Sequence, residues 1–246
     1  MDLGIRGKRA LITGGSSGIG FAIAKELAAE GAHVILASRD EKKLTDAQSK
    51  IKGGTEIVKL DMASESSIRD AWSQIKEVDI LLLNGGGPAT GQPTEIPLEN
   101  WDKAYHSLLR STLIFTQLAI PAMKQKQWGR FLNITSTSAR EVIPRLPVSS
   151  TFRAGLTALT KELARELGKH NILVNNLLPG PVNTDRLQHL KTDSPQFFEA
   201  MAKETARGRI AEPEEIARVA VFLLSNANTF VTGTDILADG GYTKAL

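Results

Sequence analysis

The chain has 246 residues, of which 41% are hydrophobic and 23% charged, a composition typical of folded proteins and unlike that of disordered chains. The net charge is +3, but basic and acidic residues are interspersed, which argues against a nucleic-acid partner, and the absence of cysteine excludes disulfides and thiolate metal sites. No apolar run approaches the roughly 18 residues of a membrane-spanning helix, and no signal-peptide core follows the first residues, so we expect no membrane partner and a cytoplasmic location.

Short apolar runs alternate with stretches of helical spacing along the whole chain. Parallel strands covered by helices on both faces are apolar throughout, and such runs occur at 10–12, 34–36, 80–83, 131–134, 173–178 and 236–238. Apolar residues three or four positions apart, such as Ile19, Ile23 and Leu27, indicate helices between the runs. Joined by right-handed crossovers, these elements predict an α/β fold: a three-layer, doubly wound parallel sheet of about seven strands.

No change of composition, low-complexity tract or internal repeat interrupts this alternation, so residues 1–246 are predicted to form a single domain. Two connections are unusually long, a glycine- and proline-rich one at 85–97 and a second at 183–213. Loops at the carboxyl ends of parallel strands form the ligand crevice, so the second connection is a candidate substrate lid. The alternative is a helical hairpin that packs on a neighbouring subunit.

A glycine-rich turn follows the first predicted strand and precedes the first predicted helix. Gly14 allows a tight turn, Gly18 allows close approach of a phosphate, and Gly20 allows the helix to pack closely on the strand. In this position, free backbone N–H groups and the positive end of the helix face a pyrophosphate, so we predict dinucleotide binding. The turn also contributes Ser16, Ser17 and Ile19 to the predicted cofactor site.

This turn resembles the Thr-Gly-x-x-x-Gly-x-Gly signature of the short-chain dehydrogenase/reductases, which residues 13–20 match at every fixed position. Other family-like motifs follow in order: Asn84-Gly85-Gly86-Gly87, a strand that leads to Ser136, and Asp239-Gly240-Gly241. The resemblance covers nearly the whole chain. It implies a Rossmann-type fold, a nicotinamide dinucleotide as cofactor and a small-molecule substrate.

The resemblance also assigns cofactor contacts to residues after several predicted strands. Asp61, with Met62, follows the third strand, where the family contacts adenine. The segment at 179–184 resembles the one that meets the nicotinamide. Together these segments add the expected contacts Asp61, Met62, Asn84, Gly85, Gly86, Pro179, Gly180, Val182 and Thr184.

The end of the second strand decides which nicotinamide cofactor is preferred. An acidic residue there would accept hydrogen bonds from a ribose 2′-hydroxyl and repel a 2′-phosphate. This chain has Ser38-Arg39 instead, and an arginine fork pairs with phosphate through two charge-assisted hydrogen bonds, with Ser16 or Ser38 as a further donor. We therefore predict NADP(H) over NAD(H). The alternative is that Arg39 is a solvated charge and that Asp40 accepts from the ribose.

The resemblance breaks at the reaction centre. In this family a serine holds the substrate oxygen, a tyrosine transfers the proton, a lysine follows four residues later, and an asparagine lies on an earlier helix. Ser136 fits the serine, but the family spacing places Ser149 at the tyrosine position, Arg153 at the lysine position and Leu108 at the asparagine position. Neither of the two tyrosines, Tyr105 and Tyr242, has a lysine four residues later.

These exchanges have separate chemical consequences. A serine hydroxyl does not ionise as a phenol does and is several atoms shorter, so Ser149 cannot relay a proton directly. Arg153 keeps a positive charge and is expected to bind the nicotinamide ribose or to stabilise an oxyanion. We hypothesise that Ser136 and Arg153 stabilise the substrate oxygen while a water held by Ser149 or Ser150 supplies the proton. The alternative role of Ser136 is to cap the turn that follows it.

Two functions remain open from the sequence. The first is an atypical NADP(H)-dependent oxidoreductase acting on a carbonyl or alcohol substrate, and the second is a dinucleotide-binding homologue without carbonyl reductase activity. Arg140 and Arg145, in the loop after Ser136, are either contacts for an anionic substrate or solvated charges. The four histidines lack ligand spacing, so no metal site is predicted. The resemblance further implies a homodimer or homotetramer that pairs through helices at 108–126 and 149–169.

Overall fold

The structure is a computed structural model that describes residues 2–185, 187–188 and 195–245. Its strands form one parallel sheet in the order β3-β2-β1-β4-β5-β6-β7. The strands are β1 Arg9–Thr13, β2 His33–Ser38, β3 Thr55–Lys59, β4 Ile80–Asn84, β5 Gly129–Ile134, β6 Ile172–Pro179 and β7 Asp235–Ala238. The helices in the described residues are α1 Gly18–Ala29, α2 Glu41–Ser49, α3 Glu65–Ile75, α4 Leu98–Ala104, α5 Ser111–Lys126, α6 Pro147–Leu167, α7 Pro195–Glu204 and α8 Pro213–Leu223. The predicted doubly wound sheet is therefore confirmed.

The strands are apolar throughout because both faces of the sheet are covered. Successive strand side chains point to opposite faces, so Ile12 packs into the cluster that contains Ile23 of α1, whereas Leu11 packs into the cluster that contains Phe115 of α5. Helix α8 lies beside α1 on the first face, and α3 lies beside α5 on the second. This arrangement is the predicted three-layer architecture.

The direction of winding reverses between β1 and β4. From β1 the chain moves outward through β2 and β3, then returns to β4 and continues to β7 on the other side. The carboxyl ends of β1 and β4 are tied together because the Asn84 N–H donates a hydrogen bond of 2.8 Å to Thr13 Oγ1. Such a reversal leaves a crevice at the carboxyl ends of the strands, where ligands bind in folds of this type.

Two predicted helices have different bounds in the structure. The helix expected at 108–126 begins as a π-helical turn, Tyr105–Arg110, and becomes α-helical only at Ser111. The hydroxyls of Ser111 and Thr112 donate to the carbonyls of Ser107 and Leu108, at 2.8 and 2.7 Å, which satisfies acceptors in the irregular turn. The helix expected at 149–169 runs from Pro147 to Leu167. It begins at Pro147 because proline suits the first turn of a helix.

The two long connections differ in structure. Residues 85–97 form neither helix nor strand. The predicted lid at 183–213 includes residues 186 and 189–194, which lie outside the described residues, and its described part contains α7. Within the described ranges, no helix is both long and apolar enough to cross a membrane.

Candidate active site

The glycine-rich turn between β1 and α1 leaves no room for a Cβ at Gly14 or Gly20. Gly14 and Gly18 adopt φ angles of +60° and +54°, which residues with a Cβ rarely adopt. A Cβ on Gly20 would lie 2.3 Å from the Gly14 carbonyl oxygen, and one on Gly14 would lie 2.6 Å from the Asn84 carbonyl oxygen. These close backbone approaches explain why glycine occupies positions 14 and 20.

The N-terminus of α1 has no side-chain cap. Ser17 is the N-cap residue in an extended conformation, yet its side chain accepts no hydrogen bond from the helix. The first N–H groups of a helix have no partner inside the helix and carry partial positive charge, so they suit an anion. Thr184, after β6, lies opposite this turn, because a Cβ on Gly18 would be 3.2 Å from Thr184 Cγ2. The turn and the segment at 179–184 therefore border the same crevice.

The end of β2 carries one exposed cation and one occupied carboxylate. Asp40 caps α2, because its Oδ1 accepts a hydrogen bond of 3.1 Å from the Lys43 N–H. The Ser38 hydroxyl donates to the Asp40 carbonyl at 3.4 Å. Arg39 is exposed, and its guanidinium forms no salt bridge with any residue in the described part of the chain. Arg39 is therefore the cation that this strand end presents to a ligand.

The loops after β3 and β4 lie at the same edge of the sheet. Asp61 Oδ1 accepts from the Ala63 N–H at 2.9 Å, which fixes the turn before α3, and Met62 packs against the α3 and α5 layer. The Asn84 side-chain amide donates to the Gly14 carbonyl at 3.4 Å. Gly85 faces Leu108, whose Cδ2 would be 3.0 Å from a Cβ at that position, whereas Gly86 has open space around it.

The segment after β6 is held between two neighbours. Gly180 follows Pro179 at the end of β6 and lies against Asp239, whose Cα would be 2.8 Å from a Cβ on Gly180. Val182 is buried and forms an isolated parallel bridge with Ala211. These contacts keep 179–184 at the carboxyl edge of the sheet, where the glycine-rich turn also lies.

Ser136 stands directly after β5 and caps the short 3-10 helix Thr137–Ala139. Its Oγ accepts a hydrogen bond of 3.1 Å from the Ser138 N–H, so the capping alternative correctly describes one of its contacts. A serine oxygen can accept this bond while its own hydrogen is donated elsewhere. Capping therefore fixes the Ser136 oxygen without consuming its donor.

Ser149 is bonded to another serine that the sequence reasoning missed. Its Oγ lies 2.9 Å from Ser138 Oγ, and both residues are buried. The pair joins the start of α6 to the loop after β5. The run of hydroxyl residues at 136–138 was the one sequence signal for this partner. The contact itself could not be predicted, because it depends on how α6 packs.

Arg153 and Leu108 occupy the other two exchanged positions. The Arg153 guanidinium is 6% exposed and its Nη1 donates to the Ile134 carbonyl at 3.0 Å, so a cation lies beneath the end of β5. Leu108, in the π-helical turn, is buried and lines a cavity of about 10 Å³ together with Asn133 and Leu156. An apolar side chain thus occupies the position where the family resemblance places an asparagine.

The two arginines in the loop after Ser136 have different surroundings. Arg140 Nε lies 3.0 Å from Oδ2 of Asp235, whose side chain is 1% exposed. The same carboxylate accepts hydrogen bonds from Asn176 and Thr157, at 2.8 and 2.9 Å. Arg140 therefore tethers the loop to the interior, while its side chain, 47% exposed, remains partly solvated. Arg145 is exposed.

A cavity of about 130 Å³ lies beside this loop. Its walls come from the loop after β5, from the end of α7 and from the C-terminal residues, and they include Thr137, Glu141, Glu204, Tyr242 and Lys244. No cluster of three or more side chains able to hold a metal ion occurs in the described residues. The arrangement is that of a dinucleotide-binding fold with a small-molecule pocket at the carboxyl edge of its sheet.

Comparison with known proteins shows which family of dinucleotide-binding proteins the chain belongs to. A family model described as enoyl-(acyl carrier protein) reductase matches residues 14–243. The chain is 32% identical to the 3-oxoacyl-[acyl-carrier-protein] reductase of Aquifex aeolicus, over 98% of this chain and 99% of that protein. It is also 32% identical to the L-xylulose reductase of Mesocricetus auratus, with the same coverage. The crystal structure of L-sorbose reductase from Gluconobacter frateurii, complexed with NADPH and L-sorbose, superposes with a TM-score of 0.92 at 31% identity and covers 100% of both chains. The chain belongs to the short-chain dehydrogenase/reductase family.

Proposed function

We propose that this chain is an NADP(H)-dependent oxidoreductase that interconverts a carbonyl and an alcohol on a small-molecule substrate. The relatives named above are reductases, and the L-sorbose reductase structure contains NADPH. The observation that carries the proposal is the glycine-rich turn: Gly14 and Gly20 approach neighbouring backbone too closely for a Cβ, and the uncapped N–H groups of α1 border the crevice. This is a cradle that a pyrophosphate fits.

The residues at the crevice suit NADP(H) better than NAD(H). Arg39 supplies the cation for a 2′-phosphate, and Asp40 has a structural role, because it accepts the Lys43 N–H as the N-cap of α2. We assign the pyrophosphate to Gly14, Ser16, Ser17, Gly18, Ile19 and Gly20, and the 2′-phosphate to Ser38 and Arg39. The remaining contacts fall to Asp61, Met62, Asn84, Gly85, Gly86, Arg153, Pro179, Gly180, Val182 and Thr184.

The cofactor, when bound, supplies or accepts the hydride. Ser136 donates its hydroxyl hydrogen to the substrate oxygen, since its own oxygen is fixed by the Ser138 N–H. The buried charge of Arg153 stabilises the negative oxygen that forms during reduction. Ser149 is bonded to Ser138, whereas the buried Ser150 hydroxyl has no partner among the described residues. Of the two hydroxyls predicted to hold a proton-donating water, Ser150 is therefore the better candidate.

A second function has one structural argument in its favour. Position 149 holds a serine and not a phenol, and Leu108, Ser149 and Arg153 are all buried. Loss of positioned acid catalysis typically lowers a rate by about 10²- to 10⁴-fold. A protein that binds NADP(H) but does not reduce carbonyls would show the same features.

Parallel binding and turnover measurements separate the two functions. With NADPH saturating, an oxidoreductase oxidises it in the presence of at least one member of a panel of ketones, keto sugars and acyl thioesters. Ser136→Ala should then lower turnover at least tenfold with unchanged NADPH affinity, whereas the exposed Ser73→Ala on α3 should change neither. Tight NADPH binding by an inert wild type, with activity gained in a Leu108→Asn, Ser149→Tyr, Arg153→Lys variant, would establish the second function instead.

We also propose that the chain forms a homodimer or homotetramer in the cytoplasm. Large apolar side chains stand exposed on the described surface: Leu113 of α5 at 38%, Leu237 of β7 at 44% and Phe230 at 95%. Burial of such residues stabilises subunit contacts. Light scattering of the purified chain gives the assembly mass, and a monomer at micromolar concentration would contradict the proposal.

A further inference from the structure

The cavity beside the loop that follows Ser136 is closed by the C-terminal residues. Gly240 and Gly241 have φ angles of +64° and +75°, and the Arg207 N–H donates to the Gly240 carbonyl at 3.3 Å. A Cβ on Gly241 would lie 2.8 Å from the Cβ of Ala206, so these glycines let the chain pass directly against the residues that follow α7. This route brings Tyr242 beside Glu204, the last residue of α7.

Tyr242 is a neutral phenol inside the cavity. Burial, together with the charge of Glu204 and a hydrogen bond with it, raises the pKa of the Tyr242 phenol above its ordinary value. The phenol therefore keeps its proton through the physiological pH range and donates it to the Glu204 carboxylate. The phenol oxygen and the remaining acceptor positions of the carboxylate are left to accept hydrogen bonds from a ligand.

Glu141 supplies a second fixed acceptor. Its Oε2 accepts hydrogen bonds from the backbone N–H groups of Lys244, at 2.7 Å, and Ala245, at 3.4 Å. These bonds hold the C-terminal segment across the cavity and keep the carboxylate in place. A carboxylate has about four acceptor positions, so Glu141 retains capacity for a ligand hydroxyl.

The charges on the cavity walls disfavour an anionic substrate. Glu141 and Glu204 are opposed by one cation among the described lining residues, Lys244. Arg140, the arginine nearest in the chain, is held by the buried carboxylate of Asp235. A carboxylate or phosphate group would thus meet like charge, whereas vicinal hydroxyls would find carboxylate oxygens and a phenol oxygen to accept their hydrogens.

We propose that this cavity binds the hydroxylated carbon chain of a neutral keto sugar or its polyol, with Glu141, Glu204 and the Tyr242 phenol oxygen as acceptors. The proposal rests on the oxidoreductase function above and names its substrate class. Ile143 and Pro144 complete the wall and suit the C–H faces of such a chain. Glu141, Glu204 and Tyr242 are specificity residues, whereas Ser136 acts on the reacting oxygen.

The test compares two ligands of equal length that differ at one end. Sorbitol and gluconate are titrated into the NADPH-loaded protein by calorimetry, where neither can react because a polyol requires the oxidised cofactor. Sorbitol should bind at least tenfold more tightly than gluconate.

Glu204→Gln and Tyr242→Phe should each weaken sorbitol binding about tenfold, because each removes one hydrogen-bonding partner. Glu199→Gln, an exposed change on the same helix, should have no effect.

Gluconate binding as tight as sorbitol binding, or unchanged sorbitol affinity in both Glu204→Gln and Tyr242→Phe, would overturn the substrate class. Failure of the proposed function is recognised separately. In that case sorbitol binds with the predicted preference and variant effects, but L-sorbose and L-xylulose cause no NADPH oxidation. If NADPH itself does not bind, the same titrations on the cofactor-free protein still decide whether the cavity prefers the neutral polyol.

Discussion

The two halves of the candidate active site are made of different kinds of chemical group. The half assigned to the cofactor is built from backbone: two positive-φ glycines, Gly14 and Gly18, the closely packed Gly20 and the uncapped start of α1. The half assigned to the reaction is built from side chains. The family signature is intact in the first half and altered at Leu108 and at other positions in the second. Backbone geometry that excludes a Cβ permits few substitutions, whereas side chains can be exchanged if their neighbours repack.

The altered half shows such repacking. Ser149 has a buried partner in Ser138, and Arg153 donates to the Ile134 carbonyl. Leu108 is accommodated because position 85 is a glycine. Each of these three residues therefore has its own contacts in the interior. The comparison predicts that backbone changes act mainly on cofactor binding, and that side-chain changes act mainly on stability and turnover.

The largest effect is expected for Gly20→Ala. The added Cβ would lie 2.3 Å from the Gly14 carbonyl oxygen, so the turn must open. Loss of two charge-assisted hydrogen bonds to a pyrophosphate lowers NADPH affinity by about 100-fold or more, measurable by fluorescence titration. The matched control is Gly155→Ala in α6, where a Cβ meets nothing within 4 Å and alanine favours the helix. Wild-type affinity in Gly20→Ala would remove the distinction between the two halves.

The same distinction separates what the sequence predicted from what it did not. Six of the seven strands and the glycine-rich turn were predictable because their signals are local: apolar runs, and glycines at fixed spacing beside a strand and a helix. The exception is β3, which has only two adjacent apolar residues and was placed by the family resemblance. The altered positions Ser149, Arg153 and Leu108 were found by counting residues along the family pattern. In the structure all three residues lie near the carboxyl end of β5, while their roles stay predictions.

The contacts that complete the site were not predictable. Ser138 with Ser149, Arg140 with Asp235, and Tyr242 with Glu204 each join segments that are separated in sequence and meet only through helix and strand packing. The π-helical turn at Tyr105–Arg110 also escaped prediction, because one inserted residue hardly changes an apolar pattern of helical period. Side-chain pairs between distant elements therefore require the folded structure.

A second prediction tests how the cofactor half of the site recognises the 2′-phosphate. Arg39→Ala should lower NADPH affinity by about 10- to 100-fold, because it removes charge-assisted hydrogen bonds to the 2′-phosphate. NADH lacks that phosphate, so its affinity should be unchanged. Dissociation constants for both cofactors check this, with the exposed Lys42→Ala of α2 as a control for general loss of positive charge. Equal losses for NADPH and NADH would show that Arg39 does not read the phosphate.

A third prediction concerns the side-chain half. Ser138→Ala leaves the Ser149 hydroxyl buried without its partner, which should lower the free energy of unfolding by about 1–3 kcal/mol. Adding Ser149→Ala removes the orphaned hydroxyl, so the double variant should regain part of the loss. Urea unfolding of the four members of this cycle gives the coupling between the two hydroxyls. Strictly additive losses would mean that the pair is not a stabilising unit.

The smallest effect is expected away from the reaction centre, where Arg209 pairs with Glu215 in the first turn of α8. Hydrogen bonds from Arg209 and from the Glu212 backbone lower the pKa of Glu215 from 4.5 to about 2. A lowered pKa in the folded state means that this carboxylate stabilises the fold above pH 4.5, and that the contribution is lost as pH falls from 4.5 towards 2.

Glu215→Gln should therefore be slightly less stable than wild type at neutral pH, and the difference should shrink on acidification through that range. The effect is small because the ion pair is exposed to solvent. Urea unfolding at several pH values measures it, with the neighbouring exposed Glu214→Gln as the control. The same substitution should leave NADPH affinity unchanged, because the glycine-rich turn binds through backbone N–H groups that do not titrate. A parallel loss of NADPH affinity in Glu215→Gln would show that cofactor binding depends on side-chain ion pairs as well as on backbone, and the comparison between the two halves would have to be abandoned.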